Sequence, residues 1–361
     1  MVKNFVRKAI GRAEEKEGLQ LNFRYAEIPC DDKCVVPANI QGTEKQRGQL
    51  AHLINEMCKS DAGRDVIETA LKNDFVFVFD TSVPDAYGFA DPENKICAMN
   101  PMFNESDLIT TMAHELRHIH QFESPVTAKC NPYEADTKSN LMLSKIMEAD
   151  AEAYGCFVSW QLKEQGKEAP WNTFKRDFPE IAEPFEKTLA ANAGKPDAMD
   201  KARTAAFFGW FENRDRRVGY DDSHVDFLRD IGARNLDKKL KSFDVARMVT
   251  DLCAEKGKCY FAADPKSVDT DRYVAVDKRT KDRLDTFFDK YYQCGGKKDV
   301  SLDKMPVLEP RHFGQPIPVA KSAEAKKAAV SARQERVAKQ MKQRKQPSLS
   351  ALAAKKKTLG R

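Results

Sequence analysis

Soon after the first forty residues, apolar positions recur at helical spacing. Leu50, Leu53, Ile54 and Met57 share one face, and Val66, Ile67, Ala70 and Leu71 repeat the pattern after the helix-start pair Ser60-Asp61. Two consecutive amphipathic helices are expected there. The period then changes: Phe75-Val76-Phe77-Val78-Phe79 and Lys95-Ile96-Cys97-Ala98-Met99 are short apolar runs, the first ended by Asp80, the second bounded by Asp91-Pro92 and Asn100-Pro101. They read as strands of one small sheet. Beyond Asn104 helical spacing returns, with segments near 104–122, 138–164, 199–214, 239–256 and 279–293. Helices, a small sheet, then helices make an α+β chain. Residues 1–44, punctuated by Pro29 and Pro37, show no sustained period and are expected as an irregular lead-in. The remainder divides into a core at 45–165, a helical C-terminal subdomain at 166–300, a Pro-rich linker at 301–318 and a tail at 319–361, disordered or a solvated helix.

Composition narrows what such a chain can be. The 361 residues are 41% hydrophobic and 32% charged, enough apolar content for one large domain or two smaller ones. The net charge of +5 is unevenly placed: residues 319–361 hold thirteen Lys or Arg against Glu324 and Glu335, a net +11 that leaves the rest at −6. A mildly acidic body argues against a nucleic-acid surface on the fold itself, and the basic tail is left to bind an acidic partner. No run approaches the roughly 20 apolar residues of a membrane span, and the N-terminus lacks a signal core. The nine cysteines are odd in number and miss paired CxxC spacing, so they are expected as reduced thiols of a cytoplasmic protein. Unconventional secretion as an effector, directed by the basic tail, stays open.

The chemistry concentrates in His114-Glu115-Leu116-Arg117-His118, inside a segment that reads independently as a helix. Positions i and i+4 lie on one face, so both imidazoles can reach one tetrahedral metal with Glu115 beside it as general base. Leu108, Ile109, Met112, Ala113, Leu116 and Ile119 form a continuous apolar arc, and the two histidines lie beyond its flank. The metal face therefore borders the core face. His120 points away from the pair and is excluded as a ligand. Asn104 or Ser106, with Asp107, supplies capping chemistry.

A catalytic zinc, Zn2+, needs a third protein ligand and an open position. The candidate is Glu148, in a helical segment where Glu148 and Glu152 share a face with Ser144, Ala151, Gly155 and Ser159. Small residues around two acids let this helix approach another backbone closely. Ile146, Ala153 and Phe157 anchor the opposite side, yet Asp150 falls there too and has no evident role. Glu152 is expected to hold a zinc-bound imidazole in orientation. Glu134, set in a loop-like sequence, is a weaker rival ligand.

HELRH followed after a helix-sized gap by E-x-x-A-E-x-Y-G resembles the gluzincin branch of zinc metallopeptidases, in which two histidines on one helix and a glutamate on the next bind zinc. It is similar in particular to bacterial proteins read as metallopeptidases whose second motif is E-A-D-A, and more distantly to ImmA/IrrE-type peptidases. The resemblance spans roughly residues 47–160 and, more loosely, the helical region to about 293. It implies a zincin-like fold, zinc on His114, His118 and Glu148, Glu115 as the base, and a peptide or protein substrate. It also implies a sheet edge, here Gly88 to Met99, that takes an extended peptide as an added strand. Position 152 departs from the pattern, being Glu where thermolysin-like enzymes carry Asp and the ImmA-like ones often Asn. A donor for the developing oxyanion is sought in Arg216 to His224, where Tyr220 and His224 are the candidates. Two functions are then in play: a zinc-dependent peptidase acting through a zinc-activated water, or a catalytically inactive zincin-like sensor or scaffold acting through its basic tail.

Overall fold

A computed structural model of the chain describes residues 25–30, 34–82, 86–124, 126–127, 130–131, 133–234, 240–293 and 299–314. The tail expected at 319–361 lies outside the described residues. The first described segments are strands, β1 (Tyr25–Cys30) and β2 (Cys34–Ile40), paired antiparallel with Pro29 opposite Val35 and Pro37 opposite Glu27. This corrects the irregular lead-in over residues 25–40. Neither proline interrupts a central ladder: β1 is a margin of the sheet, and β2 meets the next strand, β3 (Val76–Phe79), only through Asn39 and Ile40.

Between β2 and β3 run α1 (Glu44–Cys58) and α2 (Asp61–Lys72), the crossover that a parallel pair requires. Thr43 and Gln46 form a capping box at the start of α1, and Ser60 caps α2. Leu50, Leu53, Ile54, Met57, Val66, Ile67 and Ala70 are all buried, as the helical spacing predicts. The sheet continues to β4 (Gly88–Asp91) and β5 (Ile96–Met99) in the order β1-β2-β3-β5-β4, with β3 parallel to β5 and β4 antiparallel to it. Among the described residues, strand β4 is thus the second margin, paired only with β5.

Helix α3 (Glu105–Phe122) starts at the Asn104 cap and α4 (Thr137–Glu164) at the Asp136 cap. Helix α4 is buried on nearly every side, from Leu141 to Leu162. Around it pack α5 (Glu168–Asp177), α6 (Pro179–Ala191), α7 (Ala198–Trp210) and α8 (Arg214–Arg234). The helix expected at 199–214 ends at Trp210, and the donor-bearing segment after it belongs to α8. The helix expected at 239–256 shrinks to α9 (Val245–Leu252), capped by Asp244. A two-residue hairpin of β6 (Ala254–Glu255) and β7 (Lys258–Cys259) follows, turning on Lys256 at φ 44° and Gly257 at φ 78°. Two successive positive φ values are what a type I′ turn demands and what a helix excludes.

After α10 (Asp271–Val274) and α11 (Lys278–Gln293), the stretch expected as a linker contains α12 (Val300–Asp303) and packs on the body through residue 314. Leu302 and Met305 are buried, and Val276 donates to the Pro306 carbonyl while accepting from Leu308. Pro306 contributes its carbonyl, so its missing N–H costs nothing. The buried apolar side chains form one continuous cluster from Ile40 to Met305, with members on both sides of residue 165. Among the described residues no helix is long and apolar enough to cross a membrane.

Candidate metal centre

Helix α3 buries Leu108, Ile109, Met112, Ala113, Leu116 and Ile119, which leaves His114 and His118 on its flank facing α4. The Nε2 atoms of the two imidazoles lie 3.0 Å apart. From α4, Glu148 brings Oε2 to 3.4 Å from His114 Nε2 and Oε1 to 3.6 Å from His118 Nε2. One ligand atom from each of His114, His118 and Glu148 falls within 4.8 Å of the others. A tetrahedral zinc with bonds of about 2.0–2.2 Å sets neighbouring donors roughly 3.3–3.6 Å apart, close to these separations. Glu148 Oε2 is buried with no hydrogen-bond partner in the protein. A buried carboxylate oxygen left open beside two imidazole nitrogens is a donor set that a divalent cation fits.

The surrounding groups orient these three. Glu152, one turn after Glu148, places Oε1 3.4 Å from His114 Nδ1, a charge contact longer than most hydrogen bonds. On the other imidazole, Nδ1 of His118 lies 2.8 Å from Gln121 Oε1. Glu115 stands next to the cluster, its carboxylate close to the Ala90 backbone of the margin strand β4. Tyr220 reaches in from α8, and its hydroxyl lies close enough to Glu148 to act on its charge. His224, one turn further along α8, packs edge-on against Phe227, 5.2 Å between ring centroids, and does not line the cleft. Glu134 lies elsewhere, ion-paired with Lys241.

Electrostatics separates the carboxylates. Burial favours the neutral acid at Glu148, but the imidazoles of His118 and His114 and the Tyr220 hydroxyl outweigh it and bring its pKa down to about 2. At Glu115 burial prevails over the nearby histidines and raises the carboxyl above its ordinary value. Burial opposes protonation of His114, yet Glu152, Glu148 and Glu115 together raise it well above the ordinary range. Burial pushes His224 down to about 4 and the Tyr220 phenol well up.

A cleft of about 180 Å³ opens onto the cluster. Tyr87 and Gly88 of the β4 margin form one wall, Phe174 of α5 and Phe178 another, and His114, Glu115 and Tyr220 line it as well. Residues from both sides of position 165 therefore meet at one opening. A larger hollow of about 720 Å³ between α8 and α11 is lined mostly by charged residues, with Val225 and Phe287 among them, and contains none of these groups.

The reading of the sequence left out the opposite side of the helix pair. Arg117, fully buried, donates to Asp150 from Nε at 2.6 Å and Nη2 at 3.1 Å, and to the Leu252 carbonyl at 2.7 Å. Asp150 also accepts from Tyr260 and from Gln121. This is the role that Asp150 lacked. The opposite face of α4 is not an apolar anchor alone but carries a carboxylate matched by an arginine from within the HELRH motif. An arginine between Ala113 of the apolar arc and His114 around the helix, at a position turned toward the core, is the signal that could have found it.

The family model described as "Putative metallopeptidase family (DUF6782)" matches residues 25–256, more than half of the chain. No curated protein and no solved structure matches it.

Proposed function

The chain belongs to this putative metallopeptidase family, and from that premise we propose that it is a zinc-dependent peptidase of gluzincin type with a zincin-like catalytic fold. The observation that carries the reading is the convergence of His114, His118 and Glu148 within 4.8 Å, with Glu115 one residue from the first ligand. Zinc bound by these three would supply Lewis acidity toward a carbonyl oxygen and toward water. The other steps belong to the chain's own residues. Glu115, raised in pKa by burial, is suited to take a proton from the attacking water and pass it to the leaving amine. Its carboxylate lies close to the Ala90 backbone of β4, whose margin, free among the described residues, would bind an extended peptide as an added strand and hold the scissile bond at the cleft. Tyr220 is the better placed oxyanion donor, since its hydroxyl already lies among the cleft groups, whereas His224 does not. Glu152 would keep the His114 imidazole in register. The substrate is a peptide or protein, and an acidic partner for the tail at 319–361 belongs to the same proposal.

The test is metal content and turnover measured together on protein purified without added zinc. Wild type should carry about one zinc per chain, Glu148→Ala much less, and Glu115→Gln the full complement with peptide hydrolysis reduced about 10²–10⁴-fold. A wild type that carries no metal and cannot be loaded sinks the reading.

A further inference from the structure

We infer that Gln121 is a positioning residue that fixes which nitrogen of His118 carries the proton, and that the segment around the β6–β7 hairpin holds Gln121 in that role. The inference rests on His118 being a metal ligand, as proposed above. Gln121 is fully buried. Its amide nitrogen lies 2.9 Å from the Met147 carbonyl and 2.7 Å from Asp150 Oδ2. A carbonyl and a carboxylate only accept, and a primary amide donates only from nitrogen, so the amide can face one way. Turning it over would set its oxygen against two acceptors and lose both hydrogen bonds. Oε1 is thereby forced toward His118 Nδ1, at 2.8 Å. Because Oε1 can only accept, Nδ1 must carry the hydrogen, and Nε2 presents its lone pair toward His114 and Glu148.

Asp150 is itself held. Its two oxygens take Nε and Nη2 of Arg117, the Tyr260 hydroxyl and the Gln121 amide. Arg117 is tied in turn to the carbonyls of Leu252, at 2.7 Å, and Ala254, at 3.3 Å. A chain of hydrogen bonds thus runs from residues 252–260 through Arg117, Asp150 and Gln121 to the imidazole of His118. The order of events is structural rather than reactive: no proton moves along this chain, and each link fixes the orientation of the next. A segment more than a hundred residues beyond the HELRH motif therefore sets the lone pair that the motif offers.

The experiment is nitrogen NMR of histidine-labelled full-length chain, metal-free and in mildly alkaline buffer, read for the tautomer of His118. It is paired with zinc affinity by chelator competition for wild type and Gln121→Met, which keeps the side-chain volume and removes both ends of the amide. Wild type is expected to show the Nδ1–H tautomer. Gln121→Met is expected to show a mixture or the Nε2–H form and about 10–100-fold weaker zinc binding, with an unchanged circular dichroism spectrum. A wild-type His118 in the Nε2–H form overturns the inference whatever the variant does, so a Gln121→Met that fails to fold leaves the test intact. A folded variant that keeps the Nδ1–H tautomer and its zinc affinity overturns it as well. Failure of the metal reading is distinct from either: it shows as a wild type that binds no zinc, whatever its tautomer.

Discussion

Helices α3 and α4 meet along one seam with two buried polar sides, and the two sides are built differently. Toward the cleft lie His114, Glu115, His118, Glu148 and Glu152, held mainly by charge contacts of 3.4–3.6 Å, with His114 Nδ1 and Glu148 Oε2 lacking a hydrogen-bond partner in the protein. Toward the β6–β7 hairpin lie Arg117, Asp150 and Gln121, where Asp150 alone accepts from three side chains, Arg117 at 2.6 Å and 3.1 Å, Gln121 at 2.7 Å, and Tyr260. Residue type does not separate them, since both sides mix carboxylates with cationic or potentially cationic groups. The hydrogen bonding of the acids does: both oxygens of Asp150 accept from side chains, whereas Glu148 Oε2 accepts from none, although Arg117 Nη1 on the hairpin side is also without a partner. An acid that is fully hydrogen-bonded holds the fold, and one left short of partners has chemistry to offer.

The sharpest way to break this contrast is to truncate one carboxylate on each side. Asp150→Ala takes from the buried Arg117 its hydrogen-bonded carboxylate and strips a partner from Gln121 and Tyr260, so about 3–5 kcal/mol of stability should be lost. Glu148→Ala, compared in metal-free protein, should cost clearly less, because it removes a group with an oxygen already unpartnered. Urea unfolding of both variants decides it. Equal costs would mean that the cleft side is as structural as its opposite.

A smaller effect separates the sides by pH. Glu255, on the hairpin side, pairs with Arg203 at 2.6 Å, and the Arg203 guanidinium lies 3.7 Å from the Tyr260 ring centroid. Burial would raise the Glu255 pKa, but Arg203 and Arg117 outweigh it and bring it down to about 2 from an ordinary 4.5. A carboxyl with a lowered folded-state pKa contributes stability that is present in full above the ordinary value and is lost as pH falls toward the folded one. The contribution is at most about 3 kcal/mol. Unfolding midpoints of wild type and Glu255→Gln should differ most near neutrality and draw together from about pH 4.5 downward. A gap that stays constant down to about pH 2 would remove Glu255 from the set of groups that hold the hairpin.

Much of the cleft side was legible in the sequence because helical periodicity is a local property. The i, i+4 histidines, Glu115 at their side and the Glu148–Glu152 face follow from 100° per residue, and the apolar arc of α3 says which flank is buried. The hairpin side was not legible, because its partners are far apart in the chain. Arg117 and Asp150 are 33 residues apart, and Asp150 and Tyr260 are 110 apart. No periodicity connects them, so Asp150 could only be registered as misplaced. The strands at Tyr25–Cys30 and Cys34–Ile40 were hidden for another reason. Proline reads as a break unless its place at a sheet margin is known, and that place is set by a crossover to β3 thirty-odd residues later. The β6–β7 turn carried its own local mark, Lys256-Gly257, which the helical reading of 239–256 overrode.

The smallest effect tests how tightly the cleft side is packed. The small residues beside Glu148 and Glu152 imply a close approach, and Gly155 faces α3 and α5, where an added Cβ would lie 3.5 Å from the Thr110 carbonyl oxygen and 3.6 Å from Phe174. Those are ordinary contact distances. Gly209 is a different case, since a Cβ there would fall 2.2 Å from the Glu180 carbonyl oxygen at the crossing of α6 and α7. Alanine is better than glycine inside a helix by about 1 kcal/mol, so Gly155→Ala should leave stability unchanged or raise it by up to that amount, while Gly209→Ala should lower it. Thermal melts of the two variants make the comparison directly. A Gly155→Ala variant that melted well below wild type would mean that the cleft side of the seam is packed as closely as the α6–α7 crossing. The two sides of α3 and α4 would then differ in hydrogen bonding alone, and the openness beside Glu148 would be chemical rather than spatial.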